Sequence, residues 1–142
     1  MTKTLNVFVD TNIIVGAWHE NKHKEDECLQ YLYKLKNLHK KQIFISSLTF
    51  AQLSSMFQKK LGDKELRKRL QILLSKFTIL AFSPEDIEKA MRLEETDIED
   101  NIQYIIGRKA KCTYFVTRNK RDFAKYANIF VVSPERINTI DF

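Results

Sequence analysis

The chain has 142 residues, 44% of them hydrophobic, and carries 24 Lys and Arg against 18 Asp and Glu, a net charge of +6. That length suits a single domain over residues 1–142 with a sizeable core, and the scarcity of Gly (three) and Pro (two) excludes a linker-rich, repetitive or low-complexity chain. No uncharged apolar run approaches the roughly 18–20 residues that span a bilayer, and Cys28 and Cys112 form no C-x-x-C pair, so a soluble cytoplasmic protein is expected, with no membrane, disulfide framework or cysteine zinc site.

In chain order, short apolar runs alternate with longer segments of helical spacing, the signature of an α/β fold. The strands are predicted at Asn6–Val9, Ile43–Ile45, Thr78–Ala81, Tyr114–Thr117 and Ile129–Val132, and near-continuous apolar runs of this kind suit a sheet buried on both faces. Between the first two strands, Cys28, Leu32, Leu35 and Leu38 make the apolar stripe of a helix over Lys24–His39. Leu66, Leu70, Leu73 and Leu74 make a second stripe, and Ile98, Ile102, Ile105 and Ile106 a third. "SPED" at 83–86 reads as a helix start, with Ser83 as N-cap, Pro84 first in the helix and Asp86 three residues after the cap; "SPER" at 133–136 repeats the start. The architecture expected is a three-layer α/β/α sandwich around a central, mainly parallel five-stranded sheet.

In open sheets of this type ligands bind beyond the carboxyl ends of the strands, where strand order reverses. Asp10 immediately follows the first apolar run, in "NVFVDTNIIVGAW", and an unpartnered buried carboxylate there is costly unless it meets a cation. Three further segments fall at the same edge: "SSLTFAQL" (46–53), "TDIEDNIQYIIG" (96–107) and "FVTRNKRDF" (115–123). Asp10, Asp97, Asp100 and Asp122 are therefore candidates for one cluster. Grouped carboxylates repel unless a divalent cation offsets them, and oxygen donors suit Mg²⁺ or Mn²⁺, which points to metal-assisted hydrolysis of a phosphodiester. Each acid also has an ordinary explanation: Asp97 as an N-cap with Asp100 completing the pattern, Asp122 as a solvated turn residue.

The ordered set "VDTNIIV", "ISSLTFAQL" and "TDIEDNIQYIIGRKAKCTYFVTRNKRDF" resembles the PIN domain, the metal-dependent ribonuclease fold of VapC-type toxins in bacterial toxin–antitoxin pairs. The resemblance covers nearly the whole chain. It implies an endoribonuclease using Mg²⁺ or Mn²⁺, with RNA as substrate, a homodimeric state and a cognate antitoxin as partner. It also implies Asp10, Asp100 and Asp122 as metal-binding acids with Asp97 beside them, Thr11 and Asn12 orienting the first carboxylate, and Thr117 and Asn119 supporting the last. Arg118, Lys120 and Arg121, next to these acids, are candidate phosphate-backbone contacts, with a solvated basic face as the alternative.

One position departs from the family pattern: Gln52 stands where a glutamate is usual. Glutamine is neutral, so the site loses a negative charge and some attraction for a cation, and Glu95 or Glu99 are the acids available to compensate. The alternative function is therefore a catalytically impaired PIN-like module that binds nucleic acid or protein without cutting. A second motif, "HENKH" at 19–23, matches the H-E-x-x-H of zinc peptidases, but its polar interior and loop context favour a surface segment. An aspartyl-phosphate phosphatase expects D-x-D where this chain has Asn12, and a receiver domain expects an aspartate after the third strand, where Phe82 and Ser83 stand.

Overall fold

The computed structural model describes residues 5–19, 28, 32, 34–94, 97–118 and 130–137. Its elements run β1 (Val7–Val9), α1 (Thr11–Trp18), two 3₁₀ turns (Leu35–Asn37 and Lys40–Gln42), β2 (Ile43–Ser46), α2 (Ser47–Lys76), β3 (Thr78–Leu80), α3 (Pro84–Arg92), α4 (Ile98–Lys109), β4 (Tyr114–Val116), β5 (Phe130–Val132) and α5 (Pro134–Ile137). All four strand pairings are parallel, in the order β3-β2-β1-β4-β5, with Val7 opposite both Ile43 and Tyr114. The five-stranded parallel α/β sheet expected from the sequence is the one observed.

Alternation along the strands divides the core between the two faces of this sheet. Val7, Val9, Ile43, Ile45, Val116 and Val132 point to one side, where they pack with Ile13 and Ile14 of α1 and Leu53, Phe57, Leu66 and Leu73 of α2. Phe8 and Phe115 point to the other, with Ala90 of α3 and Ile102, Tyr104 and Ile106 of α4. The Phe8 and Phe115 rings stack at 5.1 Å across β1 and β4, fastening the two central strands. β3 lies at the edge, and its three residues are only half-buried.

Several local expectations need correction. The helix predicted to reach His39 is already a 3₁₀ turn at Leu35–Asn37, and Leu38 and His39 are extended. His39 then caps the second 3₁₀ turn: its Nδ1 accepts from Lys41 N at 3.1 Å, while Gln42 Oε1 accepts from His39 N at 3.0 Å. The leucine stripe of α2 holds at Leu66 and Leu73, but Leu74 is 45% exposed, because eight residues carry a side chain about 80° round the helix axis. Ile98 is 52% exposed for a different reason: it opens α4 at the sheet edge, beyond the apolar layer that receives Ile102 and Ile106. α2 is interrupted at Gly62, whose φ of 76° and ψ of 162° fall in a region open in practice only to glycine.

The Ser83 capping box is present as the sequence indicates, Ser83 Oγ accepting from Asp86 N and Asp86 Oδ2 accepting from Ser83 N. Lys109 adds an ion pair to Asp86 at 3.3 Å, and these donors together hold the carboxyl below its ordinary range against the opposing pull of burial. Trp18 sits edge-on to Phe57 and beneath the Arg69 guanidinium, so it belongs to the packing of α1 on α2. Cys28 and Cys112 are buried free thiols, and burial pushes Cys112 up to about 12. Among the described residues no helix is long and apolar enough to cross a membrane.

Candidate functional site

β1 is the central strand, and the chain leaves it first towards β2 and β3 and only later places β4 and β5 on its other side. Strand order therefore reverses between β1 and β4, and the residues just past the ends of these two strands are Asp10 and Thr117. The ladder continues beyond the strands here: Asp10 N donates to Val116 O at 2.9 Å and Thr117 N to Val132 O at 3.0 Å. This extension sets the Asp10 carboxylate beside the Thr117 hydroxyl, which donates to Asp10 Oδ2 at 2.7 Å.

Asp10 is 4% exposed. Burial raises its carboxyl to about 6, against the lowering effects of the Thr117 hydroxyl and the Thr11 backbone N–H, and the charge of Asp97 adds to the rise. Asn12 supports Asp10 through Thr117: its Nδ2 donates to Thr117 Oγ1 at 3.1 Å, and its Oδ1 accepts from Arg118 N at 3.1 Å. α1 and β4 are thereby tied together at the switch point. The Arg118 guanidinium also turns back over α1, with Nη1 3.5 Å from Cys28 Sγ.

Thr11 plays a second part beside the one expected. Its backbone N–H serves Asp10, but its hydroxyl is committed elsewhere, to Thr49 Oγ1 at 2.8 Å, Gln52 Oε1 at 2.6 Å and Gln103 Nε2 at 2.9 Å. α1, α2 and α4 meet at this single oxygen.

A cavity of about 380 Å³ opens over the network, lined by Asp10, Thr11, Asn12 and Val15, by Gln52, Ser55 and Met56 of α2, and by Glu99 and Asp100 of α4. Asp97 lies just before α4 and is its N-cap, its Oδ1 accepting from Asp100 N at 2.8 Å. The capping reading of Asp97 is thus realised, and the cap turns the first helical turn, with Glu99 and Asp100, into the cavity. Asn101 fixes that turn from behind by donating both amide hydrogens to Ala90 O and Leu93 O at the end of α3.

Of the residues singled out in the sequence, Asp10, Thr11, Asn12, Gln52, Glu99 and Asp100 line this cavity, and Thr117 lies directly behind it. Asn119, Lys120, Arg121 and Asp122 lie outside the described residues, as do Glu95 and residues 20–23 of the H-E-x-x-H segment. Among the described residues no three acid, histidine or cysteine groups converge tightly enough for a metal centre. Thr49, Ser55 and Gln103 are additions from the structure. The one sequence signal for Gln103 is a glutamine four residues after Glu99 in an isoleucine-rich helix, whose burial to 1% exposure only the packing reveals.

The sequence matches the PIN domain over residues 7–129. The chain belongs to the PIN domain family. Solved structures with the same fold include a toxin–antitoxin complex from Klebsiella pneumoniae, 23% identical with a TM-score of 0.68, the match covering 91% of this chain and 98% of that one. VapBC2 from Rickettsia felis bound to a promoter DNA fragment is also 23% identical, with the same coverage and a TM-score of 0.69. VapC20 from Mycobacterium tuberculosis, described as a sarcin-ricin loop cleaving toxin, is 13% identical, covering 88% of this PIN domain and 99% of its own chain, with a TM-score of 0.66. At these identities the likeness is one of fold. No curated protein matches the sequence of this PIN domain.

Proposed function

We propose that this PIN domain is a Mg²⁺- or Mn²⁺-dependent endoribonuclease and the toxin of a toxin–antitoxin pair. The observation that carries the reading is Asp10: a carboxylate buried at the switch point, raised to about 6, lining a cavity with Glu99 and Asp100. Such a group is costly to ionise alone and becomes favourable once a cation faces it. The donor set fits a hard divalent ion, since carboxylates of Asp10, Glu99 and Asp100 line the cavity, and the thioether of Met56, also in the lining, is too soft to compete for such an ion.

Asp10 and Asp100 would hold the ion, with Asp122 completing the set and Asp97 placing Asp100 through its cap. The ion, when bound, supplies a water activated for attack on phosphorus and offsets charge on the phosphate. Thr117 holds the Asp10 carboxylate in one orientation, and Asn12 holds Thr117. Arg118, Lys120 and Arg121, within a chain of net charge +6, would draw in the RNA backbone. The names of the structural relatives support the same reading: one is a toxin–antitoxin complex and another a toxin that cleaves the sarcin-ricin loop. An antitoxin partner, a homodimer and a cytoplasmic location go with it.

Gln52 favours a second reading, a module that binds RNA or a protein without cutting, because one wall of the cavity lacks the acid usual in the family. Calorimetric titration of Mg²⁺ and Mn²⁺ into chelator-stripped protein and into Asp10→Asn, with cleavage of single-stranded RNA followed in the same samples, separates the two. The nuclease reading expects metal binding and cleavage in the parent and neither in the variant. A parent that binds no metal would leave the binding module.

A further inference from the structure

The hydroxyl of Thr11 has three neighbours but only one hydrogen and two acceptor positions. The contact to Gln103 Nε2, at 2.9 Å, has the usual length of an N–H···O bond, so it occupies one acceptor position. The contact to Gln52 is 2.6 Å, shorter than amide N–H···O bonds and within the O–H···O range, so the atom of Gln52 beside Thr11 is the amide oxygen. Thr11 therefore donates to Gln52, and Thr49 fills the second acceptor position.

A glutamate at position 52 would accept Thr11 with one oxygen and present a second, charged oxygen to the site. Glutamine spends its only oxygen on Thr11, and among the described residues no acceptor meets its Nε2. Ser55, one turn further along α2, adds a hydroxyl on the same side. The cavity thus has two chemically distinct walls: carboxylates from β1 and α4, and neutral hydrogen-bond donors from α2.

We propose that Gln52 is a substrate-binding residue, its Nε2 donating to a non-bridging phosphate oxygen with Ser55 beside it, and that this replaces the cation-facing role of the usual glutamate. The inference rests on the nuclease reading for its substrate class. Gln52 then converts one wall of the site from repelling a phosphate to receiving it. Of the acids that remain, Asp10 and Asp100 line the cavity and would hold a single ion.

The test is the pair of side-chain amide proton resonances of Gln52 in the ¹⁵N-labelled protein, assigned by their loss in Gln52→Leu. Inorganic phosphate titrated in Mg²⁺ buffer is expected to shift both resonances saturably, and Gln52→Leu to weaken phosphate binding by about tenfold. Gln52→Glu, which keeps the acceptor for Thr11 and so the network, is expected to bind Mg²⁺ more tightly and phosphate more weakly than the parent. Phosphate that leaves the Gln52 resonances unmoved overturns the inference, whether or not Mg²⁺ moves them. RNA cleavage is scored separately: a cleaving protein with unmoved resonances loses this inference alone, whereas moved resonances without cleavage retain the anion contact and reject the nuclease.

Discussion

Thr117 Oγ1 donates to Asp10 Oδ2 at 2.7 Å across the gap between β1 and β4, joining the two residues that end the central strands. Among the described residues it is the one side-chain hydrogen bond that lowers the Asp10 carboxyl against the effect of burial. Thr117→Val keeps the shape and removes the donor. Asp10 should then titrate above about 6, and Mg²⁺ affinity at neutral pH should fall by roughly tenfold, the scale of a lost hydrogen bond to a charged group. Thr117→Ser should bind as the parent does. Equal affinity in the valine variant, measured by calorimetry, would show that Thr117 has no hold on the carboxylate.

Asp10 also makes the metal-free protein's stability depend on pH. Its folded value, about 6, lies above the ordinary 3.8, so the unfolded chain releases the proton first as pH rises. Stability should therefore fall between about pH 4 and 6 and level off above, by up to about 3 kcal/mol for a shift of this size. Asp10→Asn has no such charge. In chelator its melting temperature should exceed the parent's at pH 7.5 and match it near pH 3.5, and added Mg²⁺ should raise only the parent. An asparagine variant less stable than the parent at pH 7.5 in chelator would contradict the cost assigned to the buried charge.

The sheet was legible from short, near-continuous apolar runs, and the start of α3 from the cap "SPED"; both are local signals, and local signals survive into the fold wherever packing agrees with them. The position of Asp10 followed from the same logic: a polar residue ending a central apolar run has only the strand's carboxyl end to occupy. Leu74 and Ile98 were misread because spacing gives an angle around a helix and says nothing of where the neighbouring layer stops. The second role of Thr11 was not legible because its hydroxyl's partners, 38, 41 and 92 residues away, meet only once α1, α2 and α4 have packed. Burial of Gln103, including an Oε1 with no hydrogen-bond donor among the described residues, is a property of that same junction.

Gly16 sits where α1 passes Cys28. A β-carbon there would lie 2.6 Å from Cys28 Sγ, far inside contact distance, while the next atom, Cys28 Cβ, would be at an ordinary 3.5 Å. Both residues are buried, so neither can turn aside into solvent. Gly16→Ala should cost about 1–3 kcal/mol, as overpacking of a core does. Adding Cys28→Ala removes the clashing sulfur, and the double variant should be more stable than the sum of the two single changes by at least about 1 kcal/mol. Additive losses in urea titrations would place the strain elsewhere than at this contact.

Asp100 and Asn101 are adjacent in sequence and separable in consequence. Asn101 is fully buried, and its amide donates to Ala90 O at 3.0 Å, which also accepts from Leu93 N at 3.2 Å, and to Leu93 O at 2.7 Å, just past the end of α3. Asn101→Ala removes both side-chain bonds and takes from Leu93 O its amide donor while Ala90 O keeps Leu93 N, and should lower stability by about 2 kcal/mol with an unchanged dependence on urea concentration. Asp100, half-buried and lining the cavity, answers to the ion instead: Asp100→Asn should lose Mg²⁺ binding and RNA cleavage while costing less stability than Asn101→Ala. If the two variants exchanged these phenotypes, the first turn of α4 would not face the cavity as described, and Asp100 would leave the site.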